Sequence, residues 1–162
     1  MKQPFFSIVT PVYNGEKYIE ETITSVLDQT IDDFEYLIVD NLSTDNTTNI
    51  ISKYSSNITK IITERDYGMY DALKKGFSKT QGKYLFWLNS DDFLKNKNVL
   101  SKLKDYLQKN PKIEWINGNT NFKYEKYNFL LTLFPYQYPQ SIIKAGYAHN
   151  CGWGFIQQES TI

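Results

Sequence analysis

The sequence predicts an α/β fold, a doubly wound and mainly parallel sheet with helices on both faces. Three observations carry this. Apolar runs of strand length alternate with segments whose apolar residues recur at helical spacing, in the order β-α-β-α-β-α-β-α-β up to Asn119. The first, second and fourth runs end in polar or turn chemistry, at Thr10-Pro11, Asp40-Asn41 and Asn89-Ser90-Asp91-Asp92. The chain has 162 residues, the size of a single domain.

Phe5 to Thr10 reads as a first buried strand, and Pro11-Val12-Tyr13-Asn14-Gly15 as a loop in which Asn14 is the candidate N-cap. Ile19, Ile23, Val26 and Leu27 then mark an amphipathic helix over 15–29. Glu16, Glu20 and Glu21 suit the positive end of its dipole. Phe34 to Val39 is the second strand. The turn cluster 41–45 follows, and Asp45 or Ser43 caps a helix bearing Ile50, Ile51 and Tyr54. Ile58 to Thr63 is the third strand. Glu64 to Gly68 forms a polar loop, and Met69, Leu73, Gly76 and Phe77 make the next helical stripe, broken at Gln81-Gly82. Leu85 to Leu88 is the fourth strand. Val99, Leu100, Leu103 and Leu107 mark a helix stopped by Asn110-Pro111, and 113–116 is a fifth strand. Beyond Asn119 the periodicity weakens. A strand or hairpin is expected over 121–138, a short helix at 140–145, and a loop from Gly146 to Gly154.

Composition narrows the function. Acidic and basic residues balance at 18 each, and no RNA-binding or zinc-finger pattern is present, which argues against a nucleic-acid partner. The single cysteine, Cys151, excludes an intramolecular disulfide and reads as a buried or idle thiol. No signal peptide opens the chain, and no apolar stretch approaches the ~20 residues of a membrane span. A cytoplasmic protein is expected, with peripheral attachment to the inner face of the cytoplasmic membrane left open. Thirteen tyrosines suit a carbohydrate-facing surface, but a coding bias would produce them equally well.

The candidate chemistry lies at the strand ends. In a parallel sheet these ends share one edge, where open α/β sheets bind ligands. Asp91 and Asp92 are adjacent carboxylates, costly together unless a cation or donor offsets their repulsion. Mg²⁺ or Mn²⁺ takes oxygen ligands and bridges to phosphates. The plain alternative is a solvated Ser-Asp-Asp turn ahead of a helix. Asp40 either accepts hydrogen bonds from a nucleotide base or ribose, or simply starts its own turn.

Four segments, in this order and at this spacing, resemble family 2 glycosyltransferases of the GT-A fold: Ser7 to Asn14, Asp40 to Thr47, Asp66-Tyr67-Gly68-Met69-Tyr70-Asp71-Ala72, and Leu88 to Asp92. The likeness covers essentially the whole chain and points to the bacterial surface-polysaccharide type, of capsule or lipopolysaccharide. It implies a Rossmann-like GT-A sheet and transfer of a sugar from a nucleotide-diphosphate donor, UDP-linked in many members, to an acceptor hydroxyl with inversion. It further implies that Thr10, Pro11 and Tyr13 line the nucleobase pocket and that Asp40 bonds the base. Asp66 and Gly68 lie beside the ribose and diphosphate, and Asp71 reaches the donor from the next helix. Asn89, Ser90 and Asp91 stand in the family's metal-binding acidic motif with Asp92 next to it, Asn89 and Ser90 on the donor side and Asp91 and Asp92 as the ligands of Mn²⁺ or Mg²⁺. Gln157 to Thr161 resembles the segment that carries the general base, so Glu159 is the candidate base.

The sequence departs from the family in three places. The first acid of the metal motif is Asn89, which brings no charge. Position 74 is Lys where many relatives carry Asn, and Lys74 is expected to face solvent. Relatives continue past the base, so we expect a single domain over 1–162, with a nucleotide-binding half at 1–119 and a shortened acceptor-side segment at 120–162. The acceptor is expected to be a saccharide or lipid-linked saccharide. His149 reads as a surface residue, Trp87 as core, Trp153 as either a sugar-stacking or a packing residue, and Arg65 as a solvated loop position. A nucleotidyltransferase would need a Gly-rich basic loop after the first strand, and a receiver domain would give the 66–72 segment no role. A fragment that binds donor without turnover is the stronger rival.

Overall fold

The computed structural model describes residues 3–113, 115–117, 120–123, 130–133 and 154–157. In chain order the elements are β1 (Phe6–Val12), α1 (Ile19–Leu27), β2 (Phe34–Asp40), α2 (Thr47–Lys53), β3 (Lys60–Thr63) and α3 (Met69–Phe77). They continue with β4 (Tyr84–Trp87), α4 (Val99–Lys109), β5 (Trp115–Asn117), β6 (Thr120–Lys123), β7 (Leu130–Leu133) and β8 (Gly154–Gln157).

One six-stranded sheet runs in the order β3-β2-β1-β4-β8-β5, and β6 and β7 form an antiparallel pair. β1, β2, β3 and β4 are mutually parallel neighbours, with Val12 opposite Asp40, Asp40 opposite Thr63 and Val9 opposite Trp87. Their carboxyl ends therefore share one edge, as expected. The expected hairpin beyond Asn119 is the β6–β7 pair; the expected helix at 140–145 lies outside the described residues. β8 was not foreseen: Gly154 was read as loop. β8 runs antiparallel between β4 and β5, so the fourth and fifth strands are not neighbours. A strand lodged between two parallel ones satisfies both of their open backbone edges, and only pairing in space reveals that.

Each strand of the centre is buried on both faces, which is why it reads as a continuous apolar run rather than an alternation. Phe6, Ile8, Tyr36, Ile38, Tyr84 and Phe86 pack with Ile19, Ile23 and Val26 of α1, Ile50 and Ile51 of α2, and Leu100 and Leu107 of α4. The opposite parity, Val9, Leu37 and Val39, packs with Ala72 and Leu73 of α3. Three helices thus cover one face and α3 the other, the doubly wound arrangement expected from the sequence.

Helix starts differ from expectation. α1 begins at Ile19, not near 15, and Asn14 is not its cap. Asn14 has φ 49°, a left-handed conformation that Asn tolerates, and its side chain bonds the neighbouring loop instead. α2 has Asn46 at its cap, while Asp45 Oδ1 accepts the Thr47 N–H at 3.0 Å. No described helix is long and apolar enough to cross a membrane.

Two close approaches fix the chain leading to β4. A Cβ on Gly76 would lie 2.5 Å from Val9 Cγ1, so glycine lets α3 settle against the sheet. A Cβ on Gly82 would lie 2.7 Å from the backbone N of Ser7 and 2.8 Å from the carbonyl carbon of Phe6. The buried Glu35 carboxylate closes this turn, accepting from Ser7 Oγ, Gln81 N and Gly82 N. Because backbone cannot step aside, Gly82→Ala is expected to cost about 1–3 kcal/mol, the usual range for overpacking. Urea unfolding of the two proteins checks this.

Candidate active site

The loops that leave the carboxyl ends of β1, β2 and β3 are stitched to one another by hydrogen bonds, and the loop after β4 lies beside them. After β1, the Asn14 N–H donates to Ser43 Oγ at 2.9 Å, and Asn14 Oδ1 accepts the Thr44 N–H at 2.8 Å. The Gly15 N–H donates to Thr47 Oγ1 at 2.8 Å, and the Glu16 N–H to Asp45 Oδ2 at 3.1 Å. After β2, Asn41 Oδ1 accepts the Asp66 N–H at 2.8 Å, tying in the loop after β3. A Cβ on Gly15 would lie 3.6 Å from Ser90 Oγ, so the loops after β1 and β4 touch. Strand neighbours lie about 4.8 Å apart, so the strands bearing Asp40 and leading to Asp91 are about 10 Å apart, with β1 between them.

On this rim Asp40 is fully buried, and its carboxylate accepts from the N–H and hydroxyl of Ser43. It closes its own turn at the edge of the rim. Asp66 is also buried; its Oδ1 accepts the Gly68 N–H at 2.8 Å, and Gly68 has φ 114°, a conformation suited to glycine. Tyr13 is 60% exposed. Thr10 is not on the rim surface: its side chain is fully buried, and its hydroxyl accepts a 3.1 Å bond from Tyr36 OH. Strand alternation turns it toward the α1 side of the sheet, so a pocket-lining role for its hydroxyl does not fit. Asp71 is committed within its own segment. Its Oδ2 accepts the Tyr67 N–H at 3.2 Å and pairs with Lys75 at 3.3 Å. The Tyr67 N–H, with Lys75 assisting, holds its carboxyl below the usual range. Lys75 also meets Glu64 at 3.3 Å and donates to the Arg65 carbonyl. Lys74 and Arg65 are exposed, as the sequence suggested.

The acidic pair sits in an irregular segment between β4 and α4. α1 grips that segment. Thr22 Oγ1 lies 2.8 Å from the carbonyls of both Ser90 and Asp92 and shares its proton between them. Ser25 Oγ accepts the Leu94 N–H at 3.0 Å. Gln29 donates to the Asn96 carbonyl and accepts the Leu100 N–H, each at 2.9 Å. The sequence expectation covers only the apolar stripe of α1; the polar series Thr22, Ser25 and Gln29, at spacings of three and four and running just past the helix end, is a readable signal beside it. A depression of about 470 Å³ lined by Ser25, Asp28, Leu94, Asn96 and Lys97 lies behind this segment rather than on the rim.

Asp91 is exposed and has no salt bridge with any described residue. Asp92 is part-buried, and burial, reinforced by the Asp91 charge, raises its carboxyl above the usual range against an opposing bond from Asn89. Asn89 Nδ2 donates to Asp92 Oδ2 at 3.0 Å, while Asn89 Oδ1 accepts from Trp87 Nε1 at 2.7 Å. Both ends of the Asn89 amide are thus engaged. Trp87 is half-buried rather than core, with Tyr70 edge-on at 6.3 Å. Among the described residues no group of three or more His, Cys, Asp or Glu side chains gathers. Glu159, Cys151, His149 and Trp153 lie outside the described residues. β8 passes from Gly154, opposite Trp87 at the rim, to Gln157, opposite Tyr84 at the far end of the sheet.

Comparison with known proteins gives a consistent result. Residues 7–160 match the family described as Glycosyl transferase family 2. TuaG of Bacillus subtilis, a glycosyltransferase assigned provisionally to teichuronic acid biosynthesis, is 38% identical over 108 residues, 65% of this chain and 42% of that protein. A PGL/p-HBAD biosynthesis glycosyltransferase of Mycobacterium tuberculosis is 30% identical over 132 residues, 76% of this chain and 52% of that protein. This chain thus spans about half the length of these relatives. Staphylococcus aureus TarS in complex with UDP-GlcNAc superposes with a TM-score of 0.60 at 28% identity, over 64% of this chain and 31% of TarS. The Pyrobaculum calidifontis mannosyltransferase PcManGT, with GDP-Man and Mn²⁺, shares the fold at a TM-score of 0.63 and 20% identity, over 71% of this chain and 35% of that one.

The raised carboxyl of Asp92 has a stability consequence. A group whose folded pKa lies above its unfolded value destabilises the fold once ionised, increasingly as pH rises through that window. Asp92→Asn is therefore expected to melt higher than the parent protein at pH 7. That difference should shrink as pH falls toward the ordinary carboxylate value of 3.8. Thermal melts across pH 3 to 7 read it out.

Proposed function

This chain belongs to glycosyl transferase family 2, and we propose that it moves a sugar from a nucleotide-diphosphate donor of the UDP-sugar class to an acceptor hydroxyl, with inversion. One observation carries the reading: Asp40, Asp66 and the Asp91-Asp92 pair, far apart in sequence, lie on one stitched rim. The GT-A neighbours crystallised with UDP-GlcNAc and with GDP-Man and Mn²⁺ support it.

Asp91 and Asp92 repel a diphosphate unless a cation stands between. Asp91 and Asp92 fit that need. Mg²⁺ and Mn²⁺ are held through one or two carboxylates together with substrate phosphates and water. Charge repulsion within the pair is what such an ion would relieve. When bound, the cation neutralises charge building on the leaving diphosphate.

The remaining roles belong to this chain's own side chains. Asp40, Pro11 and Tyr13 are assigned to the base of the nucleotide. Asp66 holds the Gly68 turn beside ribose and diphosphate, and Asp71 with Lys75 braces that turn rather than touching donor. Ser90, against Gly15, borders the diphosphate. Glu159 is assigned as general base: it takes the acceptor O–H proton while that oxygen bonds to the anomeric carbon. The bond from that carbon to the diphosphate breaks, and the nucleoside diphosphate leaves with its electron pair. The ring passes through oxocarbenium character, as in glycoside hydrolysis. The acceptor is a saccharide or lipid-linked saccharide of bacterial surface polysaccharide, capsule or lipopolysaccharide. The site of action is cytoplasmic.

A second reading is a donor-binding unit without turnover. One observation stands beside it: the chain spans about half the length of its relatives. Titration calorimetry with UDP, with and without Mn²⁺, paired with a UDP-release assay on UDP-sugars, tests both. Mn²⁺-dependent UDP binding that disappears in Asp91→Ala is expected, and UDP binding indifferent to Mn²⁺ and to Asp91 counts against the site. Glu159→Gln should keep donor binding and lose transfer; full transfer by that variant moves the base elsewhere. Binding without any release selects the second reading.

A further inference from the structure

We infer that Trp87 is a positioning residue for the acidic pair, acting through the side-chain amide of Asn89. The inference rests on the proposed cation role of Asp91 and Asp92. Its basis is a short relay in which each partner has a forced role. An indole N–H can only donate, and an ionised carboxylate can only accept. Trp87 Nε1 lies 2.7 Å from Asn89 Oδ1, and Asn89 Nδ2 lies 3.0 Å from Asp92 Oδ2. The amide between them therefore has one orientation. Turned over, it would set its carbonyl against the Asp92 carboxylate and its NH₂ against the indole donor, losing both bonds. Trp87 is held in turn by the α3 face of the core and by Tyr70 at 6.3 Å. Oδ2 of Asp92 is thus tied back, and Oδ1 has no partner among the described residues.

Asn89 accordingly serves as a fixed donor to a ligand rather than as a ligand itself. Its neutrality leaves the cation site with two carboxylates. The sequence could not show this, because the partner of an amide two residues from an indole depends on how the chain leaves β4.

The outer partners of metal ligands typically account for roughly 10- to 100-fold of metal affinity. The test is a double-mutant cycle on Mn²⁺ affinity, read by the electron paramagnetic resonance signal of free Mn²⁺ at saturating UDP. Trp87→Phe and Asn89→Ala are each expected to weaken Mn²⁺ binding by roughly 10- to 100-fold. The double variant should be no weaker than Asn89→Ala alone. Melting temperature and metal-free UDP affinity should stay at parent values in Trp87→Phe, since the ring remains packed. Additive losses, or parent-like Mn²⁺ affinity in Trp87→Phe, overturn the inference. A measurement that needs no variant is the Trp87 indole N–H resonance during Mg²⁺ titration with UDP. It is expected to shift, and a resonance that stays fixed while Mg²⁺ binds overturns the inference as well. Should the parent protein bind no Mn²⁺ at saturating UDP, the cation reading of the site falls and takes this one with it; unaffected variants of a Mn²⁺-binding parent remove this one alone.

Discussion

Between β4 and α4 the chain carries two adjacent carboxylates through a stretch with no regular structure. What holds that stretch is one polar edge of the amphipathic helix α1, continued just past its end. Thr22 and Ser25 of α1, with Gln29 just past its end, bond its backbone at Ser90, Asp92, Leu94 and Asn96, and Gln29 also accepts the Leu100 N–H of α4. Each of these backbone groups would otherwise need water or a partner elsewhere. α1 is itself fixed by Ile19, Ile23 and Val26 in the core. Placement of the acids therefore inherits the rigidity of the sheet through one helix.

The same economy recurs around the rim. Side chains of one loop bond the backbone of the next: Asn14 to Thr44, Thr47 to Gly15, Asn41 to Asp66. Polar residues that look like ordinary turn formers are in this fold cross-links between turns. Electrostatics then sets what such a rim can receive. Acids dominate it, and Lys75 is already committed to Glu64 and Asp71. Arg65 is the exposed cation of the loop after β3, and at the Asp91-Asp92 pair, strained by its own repulsion, an added counter-charge gains most.

How much of this was readable varies by residue. Asp40 and Asp91 were placed on one edge from strand endings alone, because a parallel sheet puts every carboxyl end on the same side. Asn14 was misjudged as a helix cap, since local propensity cannot distinguish a cap from a left-handed turn residue whose partner lies thirty residues on. The family resemblance implies Thr10 in the nucleobase pocket; strand parity buries it against Tyr36 instead. The strand setting of Trp87 suggests a core residue; its indole N–H donates to Asn89 instead.

By itself the sequence determined the alternation of strands and helices, the doubly wound class and the family, because these rest on periodicity and motif order along the chain. The tertiary structure alone decided that β8 lodges antiparallel between β4 and β5, which partners tie the rim together, and that Asn89 turns its NH₂ toward Asp92. Those outcomes depend on pairings between segments distant along the chain, where backbone and polar groups must find partners in space, and no local pattern specifies which.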